Sequence, residues 1–335
     1  YQRGTDKLFS TAFLRRHTGL GPGGLGGIYL MNGTGSGSPV LYANLATLGQ
    51  NVGAGQLGVR GLATSLITSS IDATAFDNVG KIGLGALTIS DDFTKLYTIN
   101  LYTRQLVEIN IGYPAKPAGT LVSGDVSSFS IPALPAVGGV ARPFAVKYYR
   151  GKVYVGVVAT AETSKVAANL AGYVIEFNPA TNTFNPTPIM TINMNYAKGD
   201  VHTSVPAVNN WEAWANQWSD LHEGGSTSAG IRIMRPQPML TSLEFTDNGD
   251  LVLGFADRTA FQTGYKQRST VSGDNKTYNG YVGGDMLRAR NISGTWTLES
   301  NGSIGGQSGS GVGNGQGPDP SGNTAICAWD VTIRD

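Results

Sequence analysis

The sequence predicts an all-β protein, either a β-propeller or a large part of one, and three observations support this prediction. Glycine accounts for 47 of the 335 residues and charged residues for only 14%, whereas about a quarter of the residues are charged in an average domain. Short runs of alternating apolar and polar residues recur, separated by clusters of Asp, Asn and Gly. Four stretches repeat one order of strands and turns, as the four-stranded antiparallel blades of a propeller do.

The clearest copy of the repeat lies between Gly83 and Gly112, where three alternating runs predict a three-stranded meander. A second copy extends from Arg142 to Asn178, and a third begins near Met239 and gains a fourth strand. In the copy nearest the N-terminus, GTDKLFSTAFL corresponds to the turn and second strand, and GGIYLMNG to the third strand. Period-2 alternation between such turns favours antiparallel strands.

One apolar residue marks the same place in each copy, directly after the turn. These four pivot residues are Leu8, Leu96, Val153 and Leu251. We expect them at equivalent positions in small antiparallel sheets arranged side by side about a common axis. Their unequal spacing along the chain predicts long loop insertions. A β-sandwich built from the same meanders is the structural alternative.

We expect a single domain over residues 1–335 that is a segment of a longer chain. Its predicted parts are blade cores near 1–45, 81–130, 141–195 and 237–304, an insertion at 196–236, and a glycine-rich loop at 305–323. In the insertion, the stretch NNWEAWANQWSDL spaces its large apolar residues as a helix does, behind two asparagines that can cap it. This pattern predicts one short inserted helix with Trp211, Trp214, Trp218 and Leu221 on its apolar face.

Charge and cysteine content argue against several classes of function. The formal net charge is +1, from 24 basic and 23 acidic residues, so the chain has no overall field that would attract nucleic acid. No run of about 18 apolar residues predicts a transmembrane segment. Cys327 is the only cysteine, so neither an intrachain disulfide nor a cysteine-based metal site can form.

Several segments resemble the β-propeller region of very large bacterial cell-surface proteins that also carry serine-aspartate-repeat B-like or immunoglobulin-like modules. The segments are RPFAVKYYRGKVYVGVVATAET, LEFTDNGDLVLGFADRTAFQTG, GGDMLRARN and FSTAFLRRHTGLGPGGLGGIY. The resemblance covers most of residues 1–318 and ends after GNGQGPDP, where the chain departs from the pattern. It implies an exported, surface-anchored protein with an adhesive or structural role, and it implies no catalytic residues.

The three histidines and the first glycine-rich run are candidate ligand sites. His17 follows two arginines, and we consider that it faces the central channel, where propellers bind ligands. His202 and His222 lie near Asp200 and Glu223, but their spacing matches no known metal motif, so the metal remains unknown and loop histidines are favoured. The run GLGPGG resembles a dinucleotide fingerprint, yet no helix pattern follows it, which favours a plain loop.

Acidic turns are candidate calcium sites, and pairs of carboxylates are candidates for catalysis. The stretches 91–92 and 247–250 carry oxygen ligands suited to calcium, but Asp, Asn and Gly are also what tight turns require, and we favour structural turns. A structural calcium elsewhere is left open, and no other cofactor is predicted. Ser308 lacks the strand that a nucleophile elbow needs. Nothing in the sequence pairs Glu162 or Glu223 with Asp220 for acid-base chemistry.

The tryptophans of the insertion are the strongest candidates for binding, together with His17. Trp211, Trp214 and Trp218 either present an aromatic surface to a glycan or protein or pack onto the scaffold. We favour packing, and the exposure of Trp214 decides between the two.

The predicted function is that of a non-enzymatic, exported surface domain that acts in adhesion, assembly or display within a large bacterial surface protein. Its location is extracellular or at the cell surface, and its partner is a surface protein or a glycan. Self-assembly is left open. Two alternatives remain: a propeller enzyme of the lactonase or lyase kind with a metal in the central channel, and a subunit of an extracellular filament or surface layer.

Overall fold

The computed structural model describes residues 1–33, 37–65, 67–196, 198–199, 201 and 208–309, and these fold mainly into antiparallel β-sheets. Helices in them are limited to α1 (Ala73–Asn78) and α2 (Thr259–Gln262), besides single 3₁₀ turns. The prediction of an all-β protein is confirmed. Cys327 and most of the predicted glycine-rich loop lie outside the described residues.

Four sheets correspond to the four copies of the repeat. Sheet 1 contains β1 (Lys7–Thr11), β2 (Gly27–Asn32) and β3 (Val40–Asn44), and sheet 2 contains β4 (Leu84–Ile89), β5 (Lys95–Asn100), β6 (Gln105–Asn110) and β7 (Val126–Ser130). Sheet 3 contains β8 (Ala141–Tyr149), β9 (Lys152–Ala159), β10 (Ala171–Asn178), β11 (Thr183–Phe184) and β12 (Met190–Asn193). The insertion contributes β13 (His222–Thr227) and β14 (Gly230–Met234).

Sheet 4 begins with β15 (Pro238–Phe245) and β16 (Leu251–Asp257). The next strand, β17 (Tyr278–Gly280), pairs in parallel with β14 of the insertion instead. Sheet 4 is then completed by β18 (Asp285–Ile292) and β19 (Thr295–Leu298), and β20 (Ser303–Ile304) and β21 (Gln307–Ser308) form a small hairpin.

Successive sheets pack face to face, and alternating residues of one strand enter two different cores. In β5, Leu96 packs into the core shared with sheet 1 and Ile99 into the core shared with sheet 3. In β10, Ile175 packs towards sheet 2 and Val174 towards sheet 4. Sheets 2 and 3 are therefore buried on both faces, and each fully buried aliphatic side chain contributes about 1.5–3 kcal/mol.

Each of the four pivot residues lies at the start of a strand, and three of them are buried. Leu96 in β5, Val153 in β9 and Leu251 in β16 lie at the start of the second strand of their sheet and are at most 1% exposed. Leu8 likewise lies at the start of β1, but it is 37% exposed. Within the described residues β1 pairs on one side only, and Phe9 enters the core with sheet 2. Because neighbouring residues of a strand face opposite sides, Leu8 then points outwards.

The predicted inserted helix is wrong. Residues 211–217 are irregular and not helical, and a single 3₁₀ turn follows at Trp218–Asp220. The backbone N–H groups of this segment donate to neighbouring segments: that of Glu212 to the carbonyl of Pro236 and that of Trp214 to the carbonyl of Thr160. They are therefore not available for the bonds between residues four apart that define a helix.

The first strands of sheets 2, 3 and 4 lie beside one another, with β8 packed against both β4 and β15. Blades of a propeller are arranged in this way. We propose that the four sheets close into a propeller. The single domain over residues 1–335 remains a prediction. None of the helices in the described part of the chain has the length and apolarity needed to cross a membrane.

Candidate functional site

The three tryptophans of the insertion are buried. Trp211, Trp214 and Trp218 are 1%, 2% and 6% exposed, so the interpretation of a displayed aromatic surface is wrong and the packing interpretation holds. The indole Nε1 of Trp214 donates to the carbonyl of Pro238 at 2.8 Å. The guanidinium of Arg258 lies 4.4 Å from the centre of the Trp214 ring, a distance at which cation–π attraction operates.

Arg258 holds the insertion to the scaffold. Its side chain is completely buried and donates to the carbonyls of Asp77, Val79 and Ala215 at 2.6–2.9 Å. Burial lowers the pKa of Arg258 to about 9. A buried charge is stable only when its hydrogen bonds are satisfied, so Arg258 fixes three distant segments at one point.

A second buried arginine, Arg16, joins three loops on the other side of the insertion. Its guanidinium donates to the carbonyls of Ile71, Asp72, Gln262 and Arg268. Its charge lies 5.2 Å from the centre of the Trp218 ring. Residues 12–18, 57–65, 67–72 and 263–276 are thereby brought together, although Arg16 and Gln262 are 246 residues apart in the chain.

An ion pair and a serine also connect the three loops that Arg16 joins, and we call this meeting point the junction. The carboxylate of Asp72 accepts bonds from the Arg60 guanidinium and, at 2.7 Å, from the backbone N–H of His17. The Ser70 hydroxyl lies 2.7 Å from Nδ1 of His17, and the Ser70 N–H donates to Oε1 of Gln267 at 2.9 Å. The bond from Ser70 to Gln267 ties residues 67–72 directly to the loop at 263–276.

His17 lies in this junction, in the left-handed backbone conformation with φ of +68°. Burial, together with the charges of Arg16, Arg60 and Arg15, lowers the pKa of His17 to about 2. The imidazole is therefore neutral at physiological pH. Its Nε2 is buried without a hydrogen-bond partner within the described residues.

The two joined loops expose apolar side chains. We call the exposed surface of residues 57–65, 67–72 and 263–276 the loop face. Its exposed apolar residues are Val59 (94%), Ile67 (96%), Ile71 (40%), Tyr265 (61%) and Val271 (50%). Exposed apolar residues on two adjoining loops indicate an interaction surface. This face was not predicted from the sequence, because its two loops are distant in the chain. The available signal was the presence of aliphatic residues in a turn-rich stretch.

The remaining predicted site residues make structural contacts. His222 pairs with Glu212 at 2.8 Å, and Asp220 pairs with Lys165 at 2.7 Å. His202 and Asp200 lie outside the described residues. Within the described ranges, no three His, Cys, Asp or Glu side chains are grouped to hold a metal ion.

The acidic turns use their carboxylates locally. Asp92 accepts bonds from the Ser90 hydroxyl and from Thr94, and the Ser90 bond is the main cause of its lowered pKa. Asp250 is buried and pairs with Arg288 and Arg290 at 2.7 and 2.9 Å. Both stretches therefore serve as structural turns, as the sequence predicted.

Three other sequence features occupy ordinary structural positions. The GLGPGG run links β1 to β2 through a single 3₁₀ turn at Gly24–Gly26, and a strand follows instead of the helix that a dinucleotide site needs. Ser308 lies in the exposed strand β21. Glu162 pairs with Arg142 and Lys81 rather than with a second carboxylate.

Two buried aspartates at one end of sheet 4 were not recognised from the sequence. Asp257 ends β16 and accepts bonds from the N–H groups of Gln237, Thr259 and Gly283. Asp285 begins β18 and accepts a bond from the Tyr196 hydroxyl at 2.6 Å. Burial raises the pKa of each to about 6. The signal that the sequence offered for Asp257 was an aspartate at the end of a strand with alternating apolar residues.

The raised pKa values of Asp257 and Asp285 predict that the protein becomes more stable as the pH is lowered from 7.5 to 4.5. A carboxyl whose folded pKa is raised binds its proton more tightly in the folded state, so stability falls as pH rises from about 4 to about 6. Two units correspond to about 2–3 kcal/mol per group. In urea unfolding at pH 4.5, 6.0 and 7.5, Asp257→Asn should lose about 2 kcal/mol of this pH dependence.

The control for this experiment is Asp247→Asn, which changes an exposed aspartate of the turn before β16. Its pH dependence should match that of the unmodified chain. Parallel pH profiles for the unmodified chain and Asp257→Asn would contradict the assignment, whatever the baseline stability of the variant.

Comparison with known proteins gives one similarity that spans the chain. No family model matches it. Colossin-A of Dictyostelium discoideum is 26% identical over 325 residues, which are 93% of this chain and 2% of Colossin-A. Among solved structures, a xylan beta-1,4-xylosidase from Bacillus Halodurans C-125 is 12% identical, covers 64% of this chain and 32% of its own, and has a TM-score of 0.24, which is too low to inform fold or activity. The chain is thus similar, over nearly its whole length, to a small segment of Colossin-A.

Proposed function

We propose that the chain is a non-enzymatic binding module of a very long exported protein, and that it presents the loop face to a protein partner in adhesion or assembly. The observation that carries this proposal is the contrast within the junction. Arg16 and Asp72 are buried and hydrogen-bonded, whereas Val59 and Tyr265, on the loops that Arg16 joins, are largely exposed. Rigid anchoring of exposed apolar residues lowers the entropy cost of binding.

The comparison with Colossin-A supports the modular part of the proposal. The matched segment is 2% of that protein, which makes Colossin-A a very long chain. Sheets buried on both faces and joined by loops suit a spacer or display role in such a chain. Bacterial origin, surface location and neighbouring immunoglobulin-like modules are expectations of the resemblance, and Colossin-A does not test them.

The composition of the loop face favours a protein partner over a glycan. Four of its five exposed apolar residues are aliphatic, and Tyr265 is the single aromatic among them. Carbohydrates are bound mainly on exposed aromatic rings with an amphipathic character, and the tryptophans that would supply such rings are buried. The exposed aliphatic residues of the loop face are instead typical of the apolar centre of a protein interface.

We expect that a double substitution on the loop face, Val59→Ser with Tyr265→Ser, weakens adhesion of the purified chain to cells of its source organism at least tenfold. Exposed residues contribute little to stability, so the variant should unfold at the same urea concentration as the unmodified chain. Binding is measured by flow cytometry with the fluorescently labelled chain, over a concentration series.

The matched control changes two exposed valines outside the loop face, Val122→Ser with Val137→Ser, which are 61% and 67% exposed. It should bind as the unmodified chain does. Equal binding by the loop-face and control variants would overturn the proposed function. Protease treatment of the cells should abolish binding if the partner is a protein, and retained binding would contradict that part of the proposal.

A further inference from the structure

The exposed charges of the loop face have one sign. Lys266 and Lys276 are both exposed and both belong to the loop at 263–276. The exposed acidic residues of the described part of the chain all lie outside the loop face, and they are Asp6, Asp91, Asp92, Glu223, Glu244 and Asp247. Acidic and basic residues are almost equal in number over the whole sequence, so this separation gives the loop face a positive potential that the composition does not show.

The two acidic residues of the loop face itself are engaged in holding the loops. Asp72 is buried and pairs with Arg60. The carboxylate of Asp274 accepts bonds from the Ser269 and Tyr278 hydroxyls at 2.6 and 2.8 Å. Among the described residues, no carboxylate forms an ion pair with either exposed lysine. The two ammonium groups are therefore left to interact with a charge from outside the chain.

One of these charges lies directly beside the exposed aromatic ring of the loop face. Nζ of Lys266 is 5.3 Å from the centre of the Tyr265 ring, and Tyr265 is 61% exposed. The backbone of this region is fixed, because Gln267 and Tyr278 exchange backbone hydrogen bonds at 2.7 and 3.1 Å and the N–H of Lys266 donates to the Asn279 side chain at 2.9 Å. A contact that is held in place before binding costs less entropy when the partner arrives.

We propose that the partner of the loop face is a protein with an acidic contact surface, on which Asp or Glu carboxylates surround an apolar group. This inference rests on the proposed function, because it names the charge that the partner carries. Apolar contact supplies affinity, whereas complementary charge speeds association and rejects partners of the wrong sign. Nucleic acid is also negatively charged, but single strands bind mainly through stacking on aromatic rings, and four of the five exposed apolar residues here are aliphatic.

The test reverses both charges in the whole chain, as Lys266→Glu with Lys276→Glu. We expect adhesion to cells of the source organism, measured by flow cytometry, to weaken about tenfold or more in low salt, since the variant repels the carboxylates that the lysines attract. In about 0.5 M sodium chloride the difference from the unmodified chain should fall below about threefold, because salt screens exposed charges.

The matched control, Arg3→Glu with Arg104→Glu, makes the same change in net charge at two exposed arginines outside the loop face. It should adhere as the unmodified chain does. Lys266→Arg with Lys276→Arg keeps the charge and should also adhere normally, and equal midpoints of urea unfolding show that all variants are folded. No loss for the lysine reversal, an equal loss for the arginine reversal, or a loss that high salt does not reduce would overturn the acidic partner.

Enzyme treatment of the cells tests the class of partner. Adhesion in low salt should disappear after protease and should be unchanged after nuclease. Adhesion that is lost after nuclease and retained after protease would assign the negative charge to nucleic acid and would contradict a protein partner.

The two proposals fail in different ways. If the Lys266 and Lys276 reversal adheres like its control while the Val59 and Tyr265 double variant does not adhere, the loop face remains the binding surface and the acidic partner is wrong. If the lysine reversal loses adhesion while the Val59 and Tyr265 double variant keeps it, the charged contact stands and the apolar contact of the proposed function fails.

Discussion

Replacing Trp214 by Ala is expected to lower the free energy of unfolding by about 4 kcal/mol, the largest loss we foresee for a single residue outside the strands. Its ring is 2% exposed, donates to the Pro238 carbonyl and lies beside the charge of Arg258. Removal leaves a cavity, an unpaired carbonyl and an arginine without its aromatic neighbour. Urea unfolding followed by circular dichroism measures the loss.

Two further variants show whether the position or the residue type matters. Trp214→Phe keeps most of the volume but loses the N–H, and about half of the loss is expected. Trp296→Ala changes a half-buried tryptophan of β19 at the edge of sheet 4 and should cost about 1–2 kcal/mol. A loss for Trp214→Ala no greater than that for Trp296→Ala would contradict the central role of Trp214.

Replacing Arg16 by Met is expected to release the loop face and to lower the free energy of unfolding by about 3 kcal/mol. Methionine roughly preserves the length of the side chain but leaves the four carbonyls of Ile71, Asp72, Gln262 and Arg268 without their donor. Amide hydrogen exchange should accelerate in residues 67–72 and 263–276, while exchange in the strands of sheets 2 and 3 stays slow.

The same variant separates an anchor from a contact residue. Arg16 is 1% exposed and does not reach the surface, yet Arg16→Met should weaken adhesion to cells about as much as the loop-face double variant. Arg104→Met, which changes an exposed arginine, is the control and should alter neither exchange nor adhesion. Unchanged exchange in both loops of Arg16→Met would show that the junction does not depend on this guanidinium.

The strands of this protein were largely predictable. Alternation placed the second strands correctly at Leu96, Val153 and Leu251, because a strand buried on both faces repeats its apolar residues over a short range. The turns at 91–92 and 247–250 were also predicted, since Asp, Asn and Gly bond to their own neighbouring backbone. The exposure of Leu8 was not predictable, because the pattern KLFST does not show whether another sheet covers that face of β1.

The site was less predictable. Tryptophans at 211, 214 and 218 have helical spacing, but the partners of their backbone are Thr160 and Pro236, which spacing within the segment cannot show. His17 was singled out for its arginine neighbours, and its contact with Ser70 was not foreseen. Asp257 and Asp285 escaped notice because their pKa depends on burial, which only the packed sheet produces.

The sequence by itself determined that the chain is all-β, where its strands and turns lie, and the order of its four sheets, because alternation and turn chemistry act between residues that are close in the chain. The tertiary structure alone decided that the tryptophans are interior and that two loops nearly 200 residues apart share one exposed face. That face depends on bonds from Arg16 to carbonyls as far as 252 residues away. Any loop offers backbone carbonyls, so no local pattern marks the ones that a buried arginine will bind.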